Sequence, residues 1–321
     1  LTATNTYGRG TIIEDGSLGI ANDDNLGDIP GSTDADNIQL GTSTATLFAT
    51  ADVTINTARG ITLLADGNAL GADSGDQLTY NGIITGDYNL TIARNASGTV
   101  VLGGTNTYSG STNVSSGTLK ISADVNLGTA PAEATANHLY LSGGRLHTTA
   151  TMTLNSNRGM HLNTSWSYLE VADTTTLTYD GIIAGTSVNY DLVLNQSGTT
   201  GTLVLGGTST YVGSTKIYNG TLSISDELNL GPTTCSSNDC IDLYNAGVLQ
   251  ITDDVTFGSN QGIKIANSDN TKILIATTKT LTLNHAFLNS TSNSSNSHVL
   301  TINDGSHAGK LHMTTSALVE N

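Results

Sequence analysis

GGTNTYSGSTNVSSGTLKIS, residues 103–122, is written again as GGTSTYVGSTKIYNGTLSIS at residues 206–225, and a worn form, TATNTYGRGTIIEDGSLGI, occupies residues 2–20. Other markers recur in register with it. Tyr7, Tyr108 and Tyr211 are 101 and 103 residues apart, and Asn-Leu-Gly stands at 25–27, 126–128 and 229–231 with the same spacings. Pro30, Pro131 and Pro232 are the chain's 3 prolines, each 101 from the next. INTARGITL, LNSNRGMHL and FGSNQGIKI keep the order, as do LTYNGIITG and LTYDGIIAG. Self-similarity at a long fixed period marks a repeat architecture. The reading is one continuous body over 1–321, with tandem units at about 1–101, 102–204 and 205–321.

Inside a unit the period falls to two. GTLKIS, NHLYLSG, ATMTLNS, RGMHLN, SYLEVAD, DLVLNQ and GTLVLGG alternate apolar with polar residues over short runs, the pattern of half-buried strands. Leu119 and Ile121, Leu139 and Leu141, Met152 and Leu154, and Leu203 and Leu205 are expected to face inward. Gly, Asn, Asp and Ser punctuate the runs and supply the corners. No stretch reads as a helix of more than two turns. Short strands, frequent corners and tandem similarity predict an all-β parallel β-solenoid, because each rung then finds its hydrogen bonds on the next. Stacked β-sandwiches are the rival. At about 20 residues per rung the chain would make about fifteen rungs, a rod on the order of 70 Å long.

Composition narrows the function classes. The 321 residues carry a formal net charge of −16 with only 11 Lys and Arg, which excludes a phosphate-binding surface and nucleic acid as a partner. No apolar run reaches 18 residues, so no membrane-spanning helix is expected. The chain starts at Leu1 without a signal peptide and reads as a processed protein or a piece of a longer one. Cys235 and Cys240, five residues apart in PTTCSSNDCID, suit a small loop-closing disulfide and an extracellular setting.

GTLVLGGTSTYVGSTKIYNGTLSIS, with RGxxL, LTYDGIIAG and DLVLNQSG upstream, resembles the autotransporter-associated β-strand repeat of bacterial surface and secreted proteins. The resemblance covers nearly all of the first two units and two-thirds of the third. It implies a right-handed parallel β-helix exported to the cell surface or beyond, and it carries no catalytic residues. A terminal barrel of amphipathic strands is not visible in this stretch.

The polar residues form no catalytic constellation, and a non-enzyme is expected. Solenoid enzymes stack carboxylates on neighbouring rungs, whereas Asp52 and Asp254 correspond to Thr151 in the middle unit. The remaining acids cluster in turns, where Asp and Asn bond to their own backbone. No EF-hand or nonapeptide calcium pattern occurs; residues 21–25 are the best oxygen-ligand candidate, and no cofactor or metal is expected. Arg59 and Arg158 precede a glycine at matching corners where the third unit has Gln261, so corner hydrogen bonding is the expected role. The repeated tyrosines are expected to lock corners.

Two kinds of contact are expected. The polar excursions around Pro30, Pro131 and Pro232 should leave the strands on one side of the solenoid, once per unit, and offer lateral contacts. The ends offer the other kind. Aligning GKLHMTT with GTLVLGG pairs Leu311 with Leu203 and Met313 with Leu205, and the same alignment carries Leu205 to Leu102 and Leu102 to Leu1. The chain would then end where its first residue resumes, with the segment holding Leu318 overlapping the start. Leu1, Leu311, Met313 and Leu318 are the expected end-to-end contacts of a head-to-tail homopolymer, an extracellular fibre. The alternatives are an adhesin passenger stalk that binds surface glycans or other cells through its loops, and, more weakly, a polysaccharide-active enzyme.

Overall fold

In the computed structural model, residues 1–41, 44–232, 239–266, 270–285, 287–289 and 300–314 are described. The chain is an all-β parallel β-solenoid of about 11 turns. Among the described residues the only helical pieces are three 3₁₀ turns, Asp23–Leu26, Asp124–Leu127 and Glu227–Leu230. It clusters into two compact units, Leu1–Met160 and His161–Asn321.

The first unit has three walls of parallel strands. One stacks Thr11–Ile13, Asp34–Leu40, Arg59–Leu63 and Ile84–Thr85. The second runs from Ser17–Ile20 through Thr46–Ala49, Ala69–Ala72, Leu90–Ile92 and Thr112–Val114 to Thr135–Leu141. The third runs from Val53–Ile55 through Gln77–Tyr80, Thr99–Leu102 and Thr118–Ile121 to Arg145–Thr148. In the second unit one wall stacks Trp166–Val171, Asp191–Leu194, Thr215–Ile217, Asp239–Tyr244, Gly262–Ala266 and Phe287–Asn289. A second runs from Thr176–Tyr179 to Leu300–Ile302, and a third stacks Val255–Phe257, Thr280–Leu283 and Lys310–Met313.

Alternation does what the sequence predicts. Leu119, Ile121, Leu139, Leu141, Leu203 and Leu205 are all buried, as are Met152 and Leu154. Each removes an apolar side chain from water, about 1.5–3 kcal/mol per residue before entropy is charged against it. The expected rung length does not hold. Paired residues lie 19 to 30 positions apart, from Thr99↔Thr118 to Thr280↔Lys310, because corners and loops lengthen most coils beyond 20 residues. About 11 turns therefore replace the expected fifteen.

The repeated phrase is a corner device. Asn25, Asn126 and Asn229 each accept two backbone N–H bonds on the side-chain oxygen, from 21 and 22, 122 and 123, and 225 and 226. Their amide groups donate to the carbonyls of Ala3, Gly104 and Gly207 on the neighbouring coil. The following leucines, Leu26, Leu127 and Leu230, are buried. The glycines after them hold φ of +78°, +75° and +82°, and an added Cβ would lie 2.3–2.4 Å from the carbonyl oxygen of Tyr7, Tyr108 or Tyr211. Asn-Leu-Gly is thus a bridge, a core residue and a close approach, in that order.

The phrase also shifts phase. Thr107 and Tyr108 donate their N–H groups to the carbonyl of Ile84, so residues of the phrase occupy a wall position of their own. Thr112–Val114 therefore stacks on Leu90–Ile92 in the second wall, whereas its sequence counterpart Thr11–Ile13 lies in the first. The proline loops follow this shift. The loop at Pro30 leads into the first wall and the loop at Pro131 into the second, so these two do not share one side of the solenoid as the spacing suggested.

Candidate binding face

The residues that sequence repetition emphasised turn out to be structural. The Arg59 side chain is fully buried and donates to Asp23 Oδ1 at 3.0 Å, to the carbonyls of Leu26 and Gly27 at 3.0 and 2.6 Å, and to Asn37 Oδ1 at 3.1 Å. Arg158 repeats this on Asp124 Oδ1 at 2.9 Å and on the carbonyls of Leu127 and Gly128. Each guanidinium collects the carbonyls a 3₁₀ turn leaves over and pairs with the acid at its start, which is why the fork of an arginine is used. Asp23, inside the calcium candidate 21–25, is committed to this pair, and Asn22 caps the turn. No group of three or more metal-ligating side chains occurs among the described residues.

Tyr108 and Tyr211 are buried, with hydroxyls 2.7 and 2.6 Å from Thr112 and Thr215 Oγ1. Asp52 and Asp254 accept the backbone N–H groups of Gln77 and Thr280, so both serve turns. The Pro131 loop is tied back, since Asn157 donates to the carbonyls of Pro131 and Ala132. Pro30 and Pro131 are half-buried and Pro232 is exposed. Leu1 is exposed, while Leu311 and Met313 are half-buried on the strand paired with Thr280–Leu283. Cys240 is disulfide-bonded. Cys235 and Leu318 lie outside the described residues.

What the sequence did not single out is the outer row of the first wall of the second unit. Lys216 and Asp242 are registered partners on adjacent strands, with Nζ 2.8 Å from Asp242 Oδ2 and 3.4 Å from Asp191 Oδ2. Two residues on, Tyr218 and Tyr244 stack with ring centres 4.3 Å apart and planes at 5°. Burial works to lower the Lys216 ammonium's pKa, but the charge and hydrogen bond of Asp242, with Asp191, outweigh it and hold it above the ordinary lysine value. Burial pushes Asp191 up, against the opposing pull of Lys216, and pushes the Tyr244 phenol up to about 12. Asp242 Oδ1 is buried with no hydrogen-bond partner.

At the start of this row Trp166 is 44% exposed, its ring edge-on to Tyr168 at 6.1 Å. Trp166 and Asp191 are registered neighbours. With Ser165, Val188, Asn189 and Ser214 they line an open recess of about 350 Å³. The alternation in TKIY and IDLY places Lys216, Tyr218, Asp242 and Tyr244 outward, so their direction was legible. Their adjacency was not, because it depends on coil length.

The inner and outer rows behave differently. The inward positions Ile13, Leu40 and Leu63, then Val114 and Leu141, then Ile217, Leu243 and Ile265 stay aliphatic. The outward positions between them read Ile12, Gln39 and Thr62, then Asn113 and Tyr140, then Lys216, Asp242 and Lys264. A constant interior with an individual exterior is a repeat-built solenoid scaffold that displays side chains. The chain carries the passenger repeat of autotransporters: a family model, passenger-associated-transport-repeat, matches residues 1–20, 97–121 and 194–224. Those segments fall on the corner phrase and the strands beside it. Over 232 residues the chain is 33% identical to the adhesin BmaC autotransporter of Brucella suis biovar 1 (strain 1330). The match covers 68% of this chain and 6% of that relative, so the chain spans a small part of the relative's length. No solved structure matches. A passenger of this kind is located at the cell surface or outside the cell.

Proposed function

We propose that this chain is a non-catalytic stalk segment of an autotransporter-type adhesin passenger, and that it contacts surfaces through its outward rows and corner loops. The observation that carries the reading is the constant inner column beside an outer column that changes from copy to copy. The passenger-repeat match and the similarity to an adhesin support it. They favour the stalk over the fibre subunit, since the relative contains such a stretch as 6% of one long chain. In this reading, residues 1–321 form a single right-handed solenoid, the hand that parallel crossovers adopt, in three tandem units related by a one-wall phase shift. The Pro30, Pro131 and Pro232 loops supply lateral contacts, and Cys235 pairs with Cys240 to close the third.

The test is adhesion of the purified chain to cultured cells and to glycan-coated plates, with negative-stain microscopy of the same sample. Binding by monodisperse particles is the expected result. Long filaments at the same concentration would instead restore the end-to-end contacts of Leu1, Leu311, Met313 and Leu318. Hydrolysis of a polysaccharide would sink the non-catalytic reading.

A further inference from the structure

Three features of the Trp166 recess depart from the matching place in the first copy of the repeat, and all three converge on one spot. Eight residues after the buried arginine, the first copy has Gly67, with φ of +88°, where the second has Trp166. Between the matching glycines and the next inward leucine, the first copy has three residues, Asp87 to Asn89, and the second has six, Thr186 to Asp191. The longer turn brings Val188 and Asn189 into the recess wall. Ser187 holds it, its carbonyl accepting from Tyr190 N–H and its hydroxyl from Asn189 N–H.

The third departure is Asp191 in place of Asn89. Asn89 Oδ1 accepts the N–H of Ser111 at 2.7 Å, and Asp191 Oδ1 accepts the N–H of Ser214 at 2.9 Å. An amide suffices for this turn contact; the carboxylate adds a pairing with Lys216, where the first copy has Asn113. Its second oxygen, Asp191 Oδ2, lies 3.4 Å from Lys216 Nζ, and the residue lines the recess.

We propose that this recess is a binding site for one neutral hexopyranose residue of a surface glycan. Trp166, 44% exposed and edge-on to Tyr168, offers an apolar ring beside a mostly polar lining, whose carboxylate, amide and hydroxyls supply hydrogen-bonding groups. Trp166 and Asp191 sit on adjacent rungs about 4.8 Å apart, a spacing that a single sugar ring spans. The carbon–hydrogen face of the sugar rests on the indole, and its hydroxyls donate to Asp191 Oδ2 and meet the Asn189 amide. Charge selects against acidic sugars. The chain carries a net charge of −16, Asp191 lines the wall, and the nearby Lys216 is already held by Asp191 and Asp242. The assignment rests on the reading of the outer row as the contact face of an adhesin stalk.

Trp166 is the chain's only tryptophan, so its emission reports on the recess alone. Titration of the full chain with methyl β-D-galactopyranoside and methyl β-D-glucopyranoside should give a saturable blue shift, half-complete in the millimolar range, with at least one of them. Methyl β-D-glucuronide, the same ring carrying a carboxylate, should give none. Asp191→Asn keeps the Ser214 contact, as Asn89 does in the first copy, and leaves Lys216 paired with Asp242, so it should melt only slightly below the wild type while binding roughly tenfold more weakly. Trp166→Ala, followed by saturation-transfer NMR, should lose the sugar. The proposal is overturned if neither neutral glycoside produces a saturable shift, or if Asp191→Asn binds as the wild type does. Adhesion of wild-type chain is measured in parallel. Adhesion without sugar binding overturns the recess and leaves the stalk reading standing. Sugar binding without adhesion overturns the stalk reading and leaves the recess.

Discussion

The Tyr108 hydroxyl lies 2.7 Å from Thr112 Oγ1 with both residues fully buried, whereas the matching pair Tyr7 and Thr11, at 2.8 Å, is open to water. One sequence phrase therefore sits in two environments, and the difference can be measured. Tyr108→Phe leaves the buried Thr112 hydroxyl short of a partner and should cost about 1–2 kcal/mol. Tyr7→Phe should stay within about 0.5 kcal/mol, because solvent replaces the lost bond. Urea unfolding of the two variants checks the contrast; equal losses would mean the hydroxyl is not the locking group.

The buried arginines should be among the most sensitive positions in the chain. Arg158→Met removes the donors to the Leu127 and Gly128 carbonyls and leaves the Asp124 carboxylate, 22% exposed, without its partner. A loss of about 3 kcal/mol is expected, the lower end of the range for a broken buried pair because Asp124 keeps some water. Arg158→Gln, the residue type that the third copy carries at Gln261, should lose less. Thermal unfolding followed by circular dichroism ranks the two.

Two glycines with the same backbone angle separate strain from crowding. Gly128 has φ of +75° and an added Cβ would meet the Tyr108 carbonyl oxygen at 2.4 Å; Gly16 has φ of +77° and nothing within 4 Å. Gly16→Ala should cost about 1 kcal/mol from left-handed strain alone. Gly128→Ala adds displacement of backbone and should cost roughly 2 kcal/mol more. Denaturant midpoints of both variants decide it.

His138 should make stability depend on pH below neutrality. Burial and then the Arg158 charge lower its pKa from the ordinary histidine value. Arg158 Nη1, always a donor, faces His138 Nδ1 at 3.4 Å, so a neutral ring can accept there and a doubly protonated ring cannot. The unfolded chain binds a proton near pH 6.5 while the folded chain resists it. This contribution is therefore intact above about pH 6.5 and is lost as pH falls toward the lowered folded value. His138→Asn should flatten the slope of unfolding free energy against pH in that window, and an unchanged slope would assign the acid sensitivity elsewhere.

Much of the fold was legible because its rules are local. Period-two alternation places Leu119 inward and Lys216 outward wherever the strand lies, and Asn-Leu-Gly announces a corner because only glycine tolerates the approach to the Tyr108 carbonyl. The corner role of Arg59 and Arg158 was readable from the loss of charge at Gln261. Coil length was not readable. It depends on how many residues each corner spends, and loops such as the one before Asp191 change that number without changing the strands.

The amino-acid sequence by itself determined that this protein is a stack of short strands with a constant apolar interior, since side-chain direction along a strand follows from the pleat. Only the tertiary structure decided which outward residues became neighbours. Trp166 meets Asp191, and Lys216 meets Asp242, across residues more than twenty positions apart. That pairing is set by the sum of corner and loop lengths in each turn and by the phase shift the repeated phrase introduces, and neither is encoded in any one stretch of the chain.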